Sequence, residues 1–447
     1  MAIPHYQAPC AAGLPTRRAR ITGLRVRTGL ERGGSGDPPR NKRTTAGILF
    51  AAIALAAATA AAAESVPAVK PALAVSTDFP GGSAEVVSID QARRLIRIKP
   101  ADHPDRGWRV WWYFKVTGVR PGEAIAVEVT AEPFGLPDHA AVSSDDRRWA
   151  QTTAGLRAKG SVTYHHKVAA AEVWFAWGPP YLPRDATDLA ARAEKACPQA
   201  KGFDLCRTLE DHPVPAIRIS PPEGGPAKPL GIWIQGRQHA WETGGSWMAH
   251  GLVEWLVSDD PRAETLRKKT AWVIVPIMDV DNVVRGAGGK NEKPHDHNRD
   301  WNDSPHWRSV QAAQRGIREM AAANRFAVFL DLHNPGPNER ESYFYTGPRN
   351  MLSPLQIAGL DAFLKAALAE IKGPPLFSGV TKESGPNYDK DHWREIAKNW
   401  VNHNSTEAVA VTYEAAWNTL AGTQNGYRQV GRQLGLTIER YLRTRAE

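Results

Sequence analysis

Residues 230–242, taken with the helix-patterned segment behind them, restrict the fold more than any other part of the chain. Leu230, Ile232, Trp233 and Ile234 are apolar and Gly231 and Gly236 bracket them. A short run of this kind fits an interior strand of an α/β sheet. It breaks into a polar turn carrying His239 and Glu242. Behind the turn Trp247, Met248, Leu252, Trp255 and Leu256 fall at helical spacing. His239 and Glu242 therefore stand at a strand-to-helix corner on one edge of a sheet, where α/β proteins place ligands. An imidazole and a carboxylate three positions apart reach one metal ion. With a third ligand and a fourth position left for water, that is the plan of a catalytic zinc site. The pair alone also fits two solvated turn residues, so the rest of the chain has to supply a third ligand, a base and a substrate anchor.

Downstream the same rhythm continues. Strands are expected at GIWIQG, AWVIVPIMD, FAVFLDLH, SYFYTG and AVAVTYEAAW. Helices are expected after Glu242, in SVQAAQRGIREMAAAN, in SPLQIAGLDAFLKAALAEI and in the C-terminal QNGYRQVGRQLGLTIERYL. Continuous apolar strands alternating with amphipathic helices predict an α/β catalytic domain, a mixed, mostly parallel sheet with helices on both faces. Upstream the pattern differs. From Thr77 on, AEVVSID, RRLIRIKP, WRVWWYFKVTGV, EAIAVEVTAE, SVTYHHKV and AEVWFAWG are short β-type runs broken by Gly, Pro and Asp. They predict a small antiparallel β-sandwich domain. His165 and His166 adjoin in one of these runs; neighbouring strand residues face opposite sides, so the two read as structural and not as ligands of one metal. The 447 residues thus divide into a head at 1–63, a β-sandwich domain at 76–180, a linker with a helix and a cysteine loop at 181–225 and a catalytic domain at 226–447. Asp188 or Thr187 is expected to cap the linker helix.

Charge argues against one class of partner. The formal net charge is +9, but residues 1–43 hold nine Lys/Arg against two Asp/Glu, which leaves +2 for the rest. A near-neutral folded part carries no electrostatic footprint for nucleic acid. The head reads as an export signal: Asn41-Lys42-Arg43, an alanine-rich apolar run at 46–63, then Glu64-Ser65. A retained membrane anchor is the alternative; alanine is weakly hydrophobic, so cleavage and a periplasmic or secreted protein are expected. In an exported protein Cys197 and Cys206, closely spaced, predict a disulfide.

The remaining strand ends supply the missing parts. FAVFLDLHNP ends in His333, a third possible ligand, and AVAVTYEAAW carries Glu414 at a strand's end. AWVIVPIMDVDNVVRGAGG leaves its strand into a loop with Arg285, and PHDHNRDWN holds Asp296, Asn298, Arg299 and Trp301. Singly, His333 fits a satisfied core histidine, Glu414 a paired buried acid and Arg299 a surface cation. Together they give three ligands, a free carboxylate, two arginines and an asparagine, the set that metal-assisted attack on a carboxylate-bearing substrate requires.

HAWE, VRGAGG, DHNRDW, FLDLH and TYE, in that order, resemble the zinc metallocarboxypeptidases. GRQHAWETGGSW and HNRDW are especially similar to the cytosolic-carboxypeptidase subgroup, which places a small β domain before the catalytic one; VWWYFKVTGV and VWFAWGPPYLP are similar to that β domain. The resemblance covers roughly residues 76–445. It implies one zinc ion held by His239, Glu242 and His333, with Glu414 as the general base for the attacking water. Arg285 would stabilise the oxyanion. Asn298 and Arg299 would grip the free C-terminal carboxylate of a peptide substrate, and Tyr388 is the candidate for the tyrosine that closes over it. Asp296 would orient His239 from behind. His295 and His297 are read as solvated loop residues. Arg394, Lys398 and Asn399, before Glu414, are candidates for the specificity pocket, where a basic residue would select acidic C-terminal residues.

The expected activity is an exported zinc carboxypeptidase. An amidohydrolase or deacylase acting on small carboxylate-bearing amides or cell-wall peptides is the alternative enzyme. A non-catalytic binding module is the third reading, and Glu414 together with all three ligands argues against it.

Overall fold

A computed structural model describes residues 70–131, 135–323, 325–336 and 339–446. The head, with its expected export signal, lies outside the described residues. Ten short strands come first: β1 (Ala74–Ser76), β2 (Glu85–Asp90), β3 (Leu95–Lys99), β4 (Tyr113–Thr117), β5 (Ala124–Thr130), β6 (Ala141–Ser143), β7 (Ala150–Gln151), β8 (Leu156–Ala158), β9 (Ser161–Lys167) and β10 (Val173–Ala176). They form two five-stranded sheets, ordered β1-β4-β10-β6-β7 and β2-β3-β5-β9-β8. All their pairings are antiparallel except β3 with β5. The period-two pattern drives this: Ile125, Val127 and Val129 of β5 and Val162 and Tyr164 of β9 point inward and are buried. His165 and His166 take opposite sides as expected. His165 is exposed, and the His166 ring meets Phe175 edge-on at 5.7 Å.

The linker helix, α1 (Pro183–Ala196), starts earlier than the expected caps Thr187 and Asp188. Its N-cap is Leu182. Pro183 presets φ in the first turn, and the Asp185 carboxylate accepts the Leu182 N–H at 2.8 Å, so the first turn closes before either expected cap is reached. The cysteine loop is also different. Cys197 and Cys206 are free thiols. Cys197 ends α1 and donates to Gln199 Oε1 at 2.9 Å, whereas Cys206 lies near the far end of the strand β11 (Ala200–Arg207). The extended run of β11 leads Cys206 away from the end of α1, and the two thiols are unpaired.

β11 is the edge of an eight-stranded sheet. The others are β12 (Pro213–Ile219), β13 (Leu230–Gly236), β14 (Thr270–Val275), β15 (Arg325–His333), β16 (Ser342–Thr346), β17 (Phe377–Glu383) and β18 (Val409–Glu414), in the order β11-β12-β14-β13-β15-β18-β16-β17. The pairs β13–β14, β13–β15, β15–β18 and β16–β17 are parallel and the rest antiparallel. The segment expected as a linker thus contributes two strands to this sheet. Seven helices accompany it: α2 (Thr243–Leu256), α3 (Pro261–Arg267), α4 (Val280–Arg285), α5 (Arg308–Ala323), α6 (Pro354–Glu370), α7 (Ala397–Asn404) and α8 (Gln424–Ala446). They lie on both faces. Gly316 of α5 sits against the Trp233 ring, and Gly245 of α2 sits against Gly236 and Leu332; residues 233 and 236 point to opposite sides of β13. Among the described residues no helix is long and apolar enough to cross a membrane. Pro67–Glu447 is one compact unit.

Candidate active site

Three adjacent parallel strands carry the site at their C-terminal ends. Gly236 of β13 pairs with Leu332 of β15, and His333 of β15 with Glu414 of β18. His239 and Glu242 come directly after β13, so the register alone brings ligands from distant parts of the chain to one edge. His239 Nδ1 lies 2.8 Å from Glu242 Oε1, and His333 Nδ1 lies 2.6 Å from Glu242 Oε2. Ligand atoms of the three residues all lie within 4.8 Å of one another, and the three are buried. The outer nitrogens are taken: His239 Nε2 meets Asp296 Oδ1 at 3.0 Å and His333 Nε2 meets Asp331 Oδ2 at 2.9 Å. A carboxylate behind each imidazole holds the proton on Nε2 and turns the Nδ1 lone pair inward, as metal-binding histidines require. Two imidazole nitrogens and a carboxylate are a donor set that zinc accepts.

The electrostatics agree. Burial alone would raise the Glu242 carboxyl, but the two imidazoles bring it down to about 2. Burial would lower the His333 imidazole, but Asp331 and Glu242 hold it well above its ordinary value. Asp296, although buried, is held well below the carboxylate range by His239 and Lys290. Glu414 goes the other way. Burial pushes it up to about 8; Glu242 adds to the rise, while His333 and Lys290 oppose it. Glu414 Oε2 has no hydrogen-bond partner among the described residues.

Asn298 and Arg299 flank this centre on a short turn begun by Asp296, whose Oδ1 accepts the Asn298 N–H at 2.8 Å. Asn298 Nδ2 is 3.5 Å from His333 Nε2, and its Oδ1 accepts the Ala397 N–H at 2.9 Å. Arg299 Nε donates to Asp389 Oδ2 at 2.6 Å and Nη1 to the Asn298 carbonyl at 2.9 Å, leaving Nη2 without a hydrogen-bond partner among the described residues. Tyr388, half-exposed, has its ring 5.6 Å from the Arg299 Cζ and 5.2 Å from the Tyr345 ring.

Arg285 is not part of this group. Asp279 caps α4, Gly286 closes it at φ 76°, and the last turn points Arg285 at Glu210, whose Oε1 accepts its Nη2 at 2.5 Å. The chain then turns back and delivers a different cation. Lys290 Nζ is 3.4 Å from His239 Nε2 and 3.4 Å from Asp296 Oδ2. A lysine five residues beyond the expected arginine leaves no mark in the sequence, because α4 has first to carry the chain outward. Asp331 was findable: residues two apart on a strand share a face, so the D-x-H at the end of β15 carries its own orienting acid.

His297 also departs from expectation. It is buried, stacked on Trp307 at 4.6 Å and 8°, with Nδ1 2.6 Å from Glu292 Oε1. Burial would lower it, but Asp279 and Glu292 raise it to about 9. Asn282 Nδ2 bridges the same two acids, so the group is a closed ionic network beneath the loop; His295 is exposed as expected. Of the pocket candidates, Arg394 is exposed and lies over the Trp393 ring. Lys398 and Asn399 are buried. Lys398 Nζ donates to Ser384 Oγ and, at 3.3 Å, to Asn399 Oδ1. Burial, helped by Arg299, lowers its ammonium to about 7.

Comparison with known proteins accords with this geometry. A family model described as the N-terminal domain of cytosolic carboxypeptidases matches residues 75–177, and one described as zinc carboxypeptidase matches residues 187–439. An uncharacterised protein of Zymomonas mobilis is 31% identical over 269 residues, 58% of this chain and 67% of that protein. Human cytosolic carboxypeptidase 1 is 24% identical over 62% of this chain, which spans only 26% of that protein's length. The crystal structure of a metallo-carboxypeptidase from Burkholderia cenocepacia has the same fold, with a TM-score of 0.72 at 23% identity over 83% of this chain and 99% of that one. With the match covering more than half of the chain and the His239–Glu242–His333 cluster inside it, the chain belongs to the zinc carboxypeptidase family.

Proposed function

We propose that the protein is an exported zinc-dependent carboxypeptidase that removes C-terminal residues from peptides and prefers acidic side chains at the terminal position. The observation that carries this reading is the placement of Arg299 and Asn298 beside the His239–Glu242–His333 cluster, with Glu414 against it. A guanidinium and an amide next to a hydrolytic centre suit a substrate whose scissile bond lies one residue from a free carboxylate. Zinc, bound by the three ligands, would supply Lewis acidity to the carbonyl and a lowered pKa to a water. Glu414, buried and with one oxygen unpartnered, would serve as the base for that water; the nearby Lys290 favours its ionised form. Lys290, whose Nζ meets Asp296 and the outer nitrogen of His239, would add its positive field to the charge that develops on the carbonyl oxygen. Lys398 supports the acidic preference, because a buried ammonium held by a hydroxyl and an amide is completed by a carboxylate.

Digestion of a peptide library, read by mass spectrometry with and without chelator, tests this. Single-residue shortening from free C-termini, enriched for Glu and Asp and abolished by chelator, is expected. Internal cleavage, or equal cutting of C-terminally amidated peptides, would sink the exopeptidase reading in favour of a deacylase. The export part rests on the basic residues 41–43 and the alanine run at 46–63. A mature N-terminus close after residue 63 is its expected signature, and an intact head on protein recovered from the cell of origin would overturn it.

A further inference from the structure

Lys290 sits in a stretch without helix or strand, between α4 and the turn at Asp296. Its path is fixed from outside the catalytic domain. Gly289 N donates to the Arg106 carbonyl at 2.9 Å, Trp108 N donates to the Lys290 carbonyl at 2.9 Å, and Lys293 N donates to the Asp105 carbonyl at 2.8 Å. Three backbone bonds from one loop of the N-terminal β-sheet domain thus bracket Lys290 on both sides. The fit is close. Gly107 has φ +87°, and a Cβ there would lie 2.5 Å from the Lys290 carbonyl oxygen and 2.7 Å from Gly289 C. The same loop touches the metal-ligand turn, with the Trp108 and Trp241 rings stacked at 6.5 Å and 26°. Trp241 N in turn donates to Gly288 O at 3.2 Å.

We infer that residues 105–108 of the N-terminal domain are a positioning element for catalysis, which holds Lys290 against the active site so that the β domain contributes directly to turnover. This rests on the reading of Lys290 as the cation whose field, from its place beside Asp296 and His239, reaches the developing oxyanion. The backbone carbonyl of Lys290 is tied to this loop, so a shift of the loop moves Nζ; because Trp108 also stacks on Trp241, the zinc content of each variant shows whether the shift has reached His239 and Glu242 as well. A displacement of about 1 Å suffices to cost about a hundredfold in rate.

The test uses the full chain with zinc and a peptide substrate, and compares Gly107→Val, Lys290→Met and the double variant. Lys290→Met is expected to lower kcat about a hundredfold with KM little changed. Gly107→Val strains a positive φ and is expected to lower the melting temperature; assayed well below it, the variant is expected to keep stoichiometric zinc and lose at least tenfold in kcat. The double variant is expected to fall no further than Lys290→Met alone, because both changes remove one interaction. If Gly107→Val is insoluble, Gly107→Ala strains the same φ with a smaller side chain and is expected to give the same pattern more weakly. Losses that multiply in the double variant, or a kcat loss matched by loss of zinc, would overturn the inference. Normal kcat in Lys290→Met would instead remove the oxyanion reading, whereas a slow Lys290→Met beside a fast Gly107→Val would remove only the positioning role of the loop.

Discussion

Glu414 is buried with one carboxylate oxygen unpartnered, an arrangement that costs stability unless something is to be met there. Glu414→Gln keeps shape and burial but cannot take a proton. It should retain one zinc per chain and lose about two to four orders of magnitude in kcat; near-normal turnover would end the base assignment. His333 gives a second prediction. Its imidazole is raised, against burial, by Asp331 and Glu242, so the metal-free protein holds a proton there at neutral pH. Zinc has to displace that proton, so its affinity should rise with pH, about tenfold per unit for one proton released. A zinc titration giving the same Kd at pH 6 and pH 8 would contradict this. Lys398 gives a third. Burial lowers its ammonium to about 7, so the charge that would attract an acidic terminal residue is present below that pH and fades above it. The ratio of kcat/KM for C-terminal Glu over Gln should fall as pH rises through 7 and drop about tenfold or more in Lys398→Met. The residues themselves were legible where chemistry and strand position coincide, as for His239, Glu242, His333 and Glu414. Arg285 and His297 were not, since nothing local tells an outward arginine from an inward one or a solvated histidine from a buried one.

Among elements, α2 and α8 show how closely the scaffold behind the metal turn is packed. A Cβ on Gly251 would lie 2.0 Å from the Arg428 carbonyl oxygen, and one on Gly431 1.9 Å from that of Met248. The two helices approach backbone to backbone, which only glycine permits at those points. Gly251→Val should therefore destabilise the protein by about 3 kcal/mol, seen as a lower urea midpoint; an unchanged midpoint would mean the helices do not meet there. The strongly patterned elements α2, α5, α6, α8, β13, β15 and β18 were readable from periodicity. Weakly patterned ones were not. β17 (FSGVTKE) is an exposed edge strand with a glycine inside it, α7 (AKNWVNHN) is short and poor in helix formers, and α4 is six residues long. The cysteine segment misled because spacing along the chain says nothing about whether the intervening residues extend, and β11 extends them.

The β domain and the domain that follows it are joined at a tryptophan cluster. Trp177 of the β domain lies 4.0 Å from Trp417, three residues beyond Glu414, and 5.0 Å from Trp241 of the metal-ligand turn. Together with the backbone bonds to residues 289–293 this couples the two domains beside the candidate active site. Thermal unfolding should accordingly be one transition in which tryptophan fluorescence and far-UV circular dichroism coincide; two separated transitions would show the domains to be independent. By itself the sequence determined the strand–helix rhythm, the two-part organisation and the candidates His239, Glu242, His333 and Glu414, because each of these is written in side chains in or at the ends of locally encoded strands. Only the tertiary structure decided which cation meets the site, how Arg299 is held and what the β domain touches, because those depend on contacts between segments far apart in the chain, which no local pattern records.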